Sequence, residues 1–247
     1  HDQKGAMMLV CLASMNEAYA LSGQLDHYWH RAAASYGELR RKSFLAGRAL
    51  LQLLLRLDDP FCSLPFISSD IHGKPVFKDF PNLHFNISHS GGLIAISLGS
   101  FENGIDIERL RVRLHMDALI QRVLSQEERN YLLAQNISNE EFIQKFYMLW
   151  TLRECLLKTS GRGLGGLDDI KINLEQACVN CPGVSRGQTW SIRTNKLSNL
   201  LVLPDINNCY MSIYIPEKEN VNFCVLNKSA LIKPIELEPE FVFSVHA

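Results

Sequence analysis

The chain has 247 residues, 47% of them hydrophobic and 21% charged, a globular composition that excludes a disordered or fibrous protein. Its 25 Lys and Arg against 26 Asp and Glu leave a net charge of −1, so no overall field draws in nucleic acid or an anionic membrane, and neither is expected as a partner. At roughly 150 residues per domain, the length allows one large domain or two small ones.

No stretch approaches the ~18 apolar residues of a membrane span. His1 to Ala6 reads as a vector-derived lead. Met7–Ala13 reads as a first β-strand rather than a secretory signal, because only Lys4 precedes the apolar run as a basic residue. Seven scattered Cys, an odd count, point to unpaired thiols in a reducing compartment, with the cytoplasm as the default.

From Gly37 to Leu57 the apolar residues Leu39, Phe44, Leu45, Ala49, Leu53 and Leu57 recur at helical spacing, and Asp58-Asp59-Pro60 ends the helix. Gly73-Lys74-Pro75 is a turn. Leu83–Ser88 alternates at period two as a half-buried strand does, Leu93–Leu98 is a buried strand, and Ile105–Glu108 alternates again after a turn at Phe101–Gly104. Helices are expected over Asp117–Leu124, Ser125–Ala134 and Asn139–Thr159. The second opens with Ser125 and Glu128 at capping-box spacing, and the third stops at Ser160-Gly161. Beyond Asp168 the pattern is of strands, at Ile170–Leu174, Thr189–Arg193, Cys209–Ile215 and Phe223–Leu226. The class is α+β. A boundary near Ser100–Gly104 gives an N-terminal half over 7–103 and a C-terminal half over 104–230, with 231–247 as an extension of unassigned role.

Asp106 and Glu108 stand two apart on a strand, so both carboxylates leave one face. Like charges side by side repel, and oxygen-only ligands of this kind suit Mg²⁺; an exposed acidic strand end would carry the same letters. Trp150, Glu154 and Lys158 form one helical stripe continuous with Phe146, which turns the stripe inward, where a Glu and a Lys need compensation, most economically by a metal and an anion. Arg48 lies in an apolar helix and Lys74 in a turn. His89 follows Ser88 and precedes Ser90-Gly91-Gly92, small residues whose amides can approach a phosphate. Adjacent Ser88 and His89 would point to opposite faces of a strand, and no GxSxG elbow is present, which argues against a serine hydrolase. Cys178 and Cys181 form a lone CxxC without a second ligand pair, so a structural zinc is not expected.

Five blocks carry a resemblance when taken in order: Ala46-Gly47-Arg48-Ala49-Leu50-Leu51, Gly73-Lys74-Pro75, Phe85-Asn86-Ile87-Ser88-His89-Ser90-Gly91, Gly104-Ile105-Asp106-Ile107-Glu108 and Trp150-Thr151-Leu152-Arg153-Glu154-Cys155-Leu156-Leu157-Lys158. Over about Arg40 to Gly165 the chain resembles the 4′-phosphopantetheinyl transferases of the long, pseudo-dimeric type, including the second holo-acyl-carrier-protein synthase type of bacteria. The resemblance implies two similar α+β halves related by a pseudo-two-fold, working as a monomer with coenzyme A in the cleft between them. It implies that Asp106, Glu108 and Glu154 hold Mg²⁺ (or Mn²⁺) against the pyrophosphate, and that Arg48, Lys74, Ser88, His89 and Arg153 contact the coenzyme. Lys158 matches a lysine near the α-phosphate that binds the anion or carries a proton. Glu128 matches a general base, with Glu127 an equally available neighbour and metal-bound water the alternative.

The family usually has Lys at Arg153 and Ala or Ser at Cys155, and a planar guanidinium does not replace an ammonium contact for contact. The implied reaction is transfer of phosphopantetheine to a serine of an acidic apo-carrier protein, with release of adenosine 3′,5′-bisphosphate. A metal-dependent phosphohydrolase and a non-catalytic coenzyme A-binding module are the alternatives. Arg40, Arg41, Lys42, Arg48 and Arg56 form a basic run on the first long helix. Its members other than Arg48, which is assigned to the coenzyme, are expected to steer the acidic carrier.

Overall fold

The computed structural model describes residues 6–197, 208–227 and 231–246. In chain order the elements are β1 (Ala6–Ser14), α1 (Met15–Ala20), α2 (His27–Ala32), α3 (Glu38–Leu55), β2 (Ile67–Ser69), β3 (Pro75–Phe77), β4 (His84–Ser90), β5 (Leu93–Gly99), β6 (Gly104–Arg109), α4 (Met116–Val123), α5 (Gln126–Ala134), α6 (Asn139–Ser160), β7 (Lys171–Asn173), β8 (Cys178–Asn180), β9 (Gly187–Arg193), β10 (Cys209–Pro216), β11 (Glu219–Leu226), β12 (Ile232–Ile235) and β13 (Phe241–His246). Each helix and strand expected from periodicity is present, within a few residues of its expected ends. Ser125 and Glu128 close the anticipated capping box on α5, and α6 stops where Gly161 turns left-handed at φ 71°.

The strands form two main sheets, one in the order β12-β11-β1-β5-β4 and the other β6-β10-β9-β13-β8-β7. Alternation assigns their faces. On β1, Met8, Val10 and Leu12 meet Ile105, Ile107, Met211 and Ile213 of the second sheet in a core between the sheets. Cys11 and Ala13, one residue out of phase, pack with Leu45, Ala49 and Leu50 of α3 on the outer face of the first sheet. Tyr210 and Tyr214 of β10 likewise point outward, onto Phe146, Leu149 and Leu152 of α6. Each sheet therefore carries one long helix on its outer face, and α6 is tied closely to β6 at Gly104. A Cβ there would run into Thr159 Oγ1 and the Cys155 carbonyl oxygen.

Strand pairing does not follow the expected cut at 103/104. β11 adds parallel to β1, with Cys11 opposite Cys224, and β12 pairs with β11, so residues 219–226 and 232–235 belong to the first sheet. The extension of unassigned role contributes strands to both sheets: β12 pairs with β11, and β13 lies between β9 and β8. The physical reason is that β1 has two edges and β5 pairs with only one of them. A late strand closes the other, a long-range pairing that no local pattern encodes.

The glycines after His89 also shape a hairpin. Gly91 and Gly92 take φ of 60° and 82° as the two-residue turn between β4 and β5, the left-handed pair that a tight hairpin requires.

Candidate active site

The edge strand of each sheet builds the site. β4 packs on β6, and serine side chains join them. Ser88 Oγ donates to Asp106 Oδ1 (2.8 Å) and accepts from the Ile107 amide (3.2 Å), while Ser90 Oγ donates to Glu108 Oε2 (2.9 Å) and accepts from the Arg109 amide (3.0 Å). Two serines spaced i, i+2 thus meet two carboxylates spaced i, i+2, as the shared period of the strands demands. Ser90 as the partner of Glu108 was not anticipated; its own i, i+2 relation to Ser88 was the available signal.

Lys158 reaches this junction from α6. Its Nζ donates to Asp106 Oδ1 (2.6 Å), Ser88 Oγ (2.9 Å) and the Ile105 carbonyl (3.3 Å). Lys158 and Glu154, one turn apart, also line a cleft of about 490 Å³ whose other wall is α3 and β4, with Arg48, Phe44, Lys74 and His89 among the lining residues. Arg48 is held with its guanidinium carbon 3.7 Å from the Phe44 ring centre and 5.7 Å from that of Trp29. Burial lowers its pKa to about 10, and its buried Nε has no protein partner. Lys74 Nζ donates to the Thr159 carbonyl (2.7 Å), and burial lowers its pKa as well. His89 is pushed down from the ordinary imidazole range by burial and then by the Lys158 charge. Among the described residues none of these three desolvated cationic or potentially cationic groups forms an ion pair within the cleft, although the charges of Glu102 and Asp70 act on Lys74; desolvated cations without paired carboxylates suit an anion.

Whether the acidic side suits a divalent cation can be tested on the free protein. Among the described residues, no three His, Cys, Asp or Glu side chains converge closely enough to form a ready-made metal centre. The chemistry of the donors nonetheless fits. Burial and then the Asp106 charge push the carboxyls of Glu108 and Glu154 above their usual range, and the buried Asp106 Oδ2 has no hydrogen-bond partner. Three mutually repelling carboxylates with an orphaned oxygen match a hard cation that takes oxygen ligands only.

Two expected site residues are elsewhere. Arg153 and Glu128 do not line the cleft. They are each 3% exposed and bind one another, with Arg153 Nη2 2.6 Å from Glu128 Oε1 and 2.9 Å from Oε2. Glu128 Oε2 also accepts from the Ser125 amide (2.9 Å) in the capping box. In the free protein the expected coenzyme contact Arg153 and the expected general base Glu128 are thus engaged with each other rather than with the cleft. Arg153 is next to Glu154 in sequence, but a step of about 100° around the helix turns it away from the cleft and toward α5. Glu127 lines a separate surface groove with Glu128, Tyr131 and Lys171.

The basic run on α3 is also divided. Arg41 donates to the carbonyls of Ala33, Ala34 and Tyr36, and Arg56 to the Cys62 carbonyl and Gln24 Oε1, so both brace the N-terminal helices. Arg40, stacked on Tyr36 at 4.2 Å, remains at the cleft mouth.

A cleft lined by basic residues between two helix-backed sheets, with a carboxylate cluster at the junction of their edges, is of the class that suits a phosphate-bearing ligand. Comparison with known proteins makes the class specific. Residues 102–198 match the family model described as the 4′-phosphopantetheinyl transferase superfamily. The chain is also 31% identical over 191 residues to the 4′-phosphopantetheinyl transferase HetI of Nostoc sp., covering 75% of each. The chain belongs to the 4′-phosphopantetheinyl transferase superfamily. It is 37% identical over 111 residues to the 4′-phosphopantetheinyl transferase Sfp of Bacillus subtilis, covering 44% of this chain and 47% of Sfp. To the 4′-phosphopantetheinyl transferase AcpT of Salmonella typhimurium it is 36% identical over 124 residues, covering 50% and 60%. The chain thus spans about half the length of the Sfp-type relatives it matches. No helix among the described residues is long and apolar enough to cross a membrane.

Proposed function

We propose that the chain transfers the 4′-phosphopantetheine of coenzyme A to a serine hydroxyl of an acidic apo-carrier protein, releasing adenosine 3′,5′-bisphosphate. The observation that carries this reading is the single cleft that sets Arg48, Lys74 and His89 opposite Glu154 and Lys158, with Asp106 bound to Lys158 behind them. The basic wall suits the 3′-phosphate and the pyrophosphate of coenzyme A, and Phe44 suits its adenine. Because one chain supplies both walls, the reading needs no second copy. A long helix on the outer face of each sheet is what a pseudo-two-fold pair of halves would present.

In the proposed reaction the serine oxygen bonds to the β-phosphorus, the bond from that phosphorus to the bridging oxygen breaks, and the serine proton leaves to base. Such transfer is mostly positioning and charge neutralisation. A divalent cation, Mg²⁺ or Mn²⁺, would be held by Asp106, Glu108 and Glu154 and would supply neutralisation of the pyrophosphate charge. Lys158 keeps its ammonium fixed by Asp106 and Ser88, and so adds a positive charge that needs no reorganisation when the leaving phosphate forms. Held this way, it serves as a cation rather than as the proton acceptor. With Glu128 paired to Arg153, the proton acceptor would be a carboxylate of the cleft or solvent water.

The test is to incubate the protein with coenzyme A, Mg²⁺ and an apo-carrier protein and to weigh the carrier by mass spectrometry. A gain of one phosphopantetheine unit, lost in a folded Asp106→Ala variant, is the expected result. Cleavage of coenzyme A without any carrier would identify a phosphohydrolase. Tight coenzyme A binding with no turnover on any carrier would identify a binding module.

A further inference from the structure

Arg113 lies in the connection between β6 and α4, outside every motif singled out in the sequence. Its Nη2 donates to Glu108 Oε2 at 3.1 Å, and its Nε donates to the Tyr147 hydroxyl at 3.1 Å. That hydroxyl in turn donates to the Arg111 carbonyl at 2.8 Å. The guanidinium carbon stands 5.0 Å from the Trp150 ring centre, and Trp150 stacks on Tyr147 at 15° between planes. Tyr147 is fully buried, and Trp150 lies one turn before Glu154 on α6. A single planar fork therefore ties the strand that carries Asp106 and Glu108 to the helix that carries Glu154 and Lys158.

The chemistry of the fork matters because, among the described residues, Glu108 is held through one oxygen. Both Ser90 and Arg113 bind its Oε2. A carboxylate fixed through one oxygen presents the other in a defined direction, and outer partners of this kind commonly set the affinity of a ligating side chain. We infer that Arg113 is a positioning residue: it fixes Glu108 by Oε2, and through Tyr147 it fixes β6 against α6, so that Glu108 and Glu154 address one divalent cation. This rests on the proposed metal role of the carboxylates. A lysine would keep the charge but, as a point donor on a flexible stem, could not bridge Glu108 and Tyr147 as the fork does.

That difference supplies the test. Mn²⁺ binding to the folded full chain, without coenzyme, is measured from the free-ion signal in electron paramagnetic resonance for wild type, Arg113→Lys, Tyr147→Phe and Asp106→Ala. Arg113→Lys is expected to weaken Mn²⁺ binding about 10-fold, the lower end of outer-partner effects, although the local charge is unchanged. Its apparent metal requirement in transfer should rise by a like factor, while its KM for coenzyme A at saturating metal stays. Tyr147→Phe, which frees Nε and leaves every charge in place, should weaken Mn²⁺ binding in the same direction. If Arg113→Lys fails to fold, Tyr147→Phe decides. Wild-type Mn²⁺ affinity in both folded variants would overturn the positioning role and leave the metal site standing. A wild type that binds Mn²⁺ no better than Asp106→Ala would overturn both.

Discussion

Replacing Glu128 by Gln separates two roles that the family resemblance and the structure assign differently. Both side chains of the Glu128–Arg153 pair are 3% exposed, at 2.6 Å. Removing the carboxylate charge leaves a buried guanidinium whose Nε and Nη1 already lack partners. Breaking a buried pair from one side costs about 3–5 kcal/mol. Gln keeps an acceptor for the Ser125 amide, so the cap on α5 should survive and the loss should come from the pair. For a chain of this size each kcal/mol moves the melting temperature by roughly 2–4 °C, giving an expected fall of about 6–20 °C. Thermal unfolding followed by circular dichroism reads the stability, and turnover is measured well below the lowered transition. There kcat should stay near the wild-type value. Arg153→Met added to Glu128→Gln should recover much of the lost stability, because neither partner then leaves an orphaned charge. A general base would show the opposite pattern, with kcat down by about 10²- to 10⁴-fold and the melting temperature little changed. That result would refute the enclosed-pair reasoning and restore Glu128 to the chemistry.

Gly104→Ala places a methyl against Thr159 Oγ1 and the Cys155 carbonyl oxygen, so it should destabilise by about 1–3 kcal/mol or more through overpacking; an unchanged melting temperature would show that β6 and α6 can part. His89 has a pKa below the ordinary imidazole value in the free protein, and a bound phosphate would raise it, so coenzyme binding should take up a proton. Affinity should then strengthen as pH falls through the raised value and level off below the depressed one. Titration calorimetry in buffers of different ionisation enthalpy checks this, and equal proton uptake in His89→Gln would remove His89 from the phosphate contact. Arg40→Glu should raise the KM for an acidic carrier and reduce its salt dependence, whereas Arg41→Glu should chiefly lower the melting temperature, since Arg41 binds three carbonyls. A carrier KM unchanged in Arg40→Glu would take α3 out of the docking surface.

Much of the site was legible because its residues are local in pattern. Asp106 and Glu108 share a strand face, and Glu154 and Lys158 share a helical stripe, so periods of 2 and 3.6 pair them without knowledge of the fold. Arg153 shows where that logic stops. It is as close to Glu154 in sequence as a residue can be, yet it is enclosed with Glu128, because direction around a helix and not adjacency decides what a side chain meets. Arg113 was illegible for a related reason. It sits in an irregular connection with no period to assign it a face, and its partners Tyr147 and Trp150 come from more than thirty residues away.

The amino-acid sequence by itself determined the elements, their inner faces and the class of chemistry, since each depends on spacing along a strand or helix and on which side chains ionise. Tertiary structure alone decided the sheet order, in which β11 closes the second edge of β1 and β13 enters between β9 and β8. Strand amides are alike along the chain, so the choice among edges is made by which pairing buries the most apolar surface once both sheets exist. The same collapse decided which charges meet. Asp106 found Lys158 across 52 residues and Glu128 found Arg153 across 25, because a charge taken out of water must be met by whatever partner the packing brings within reach.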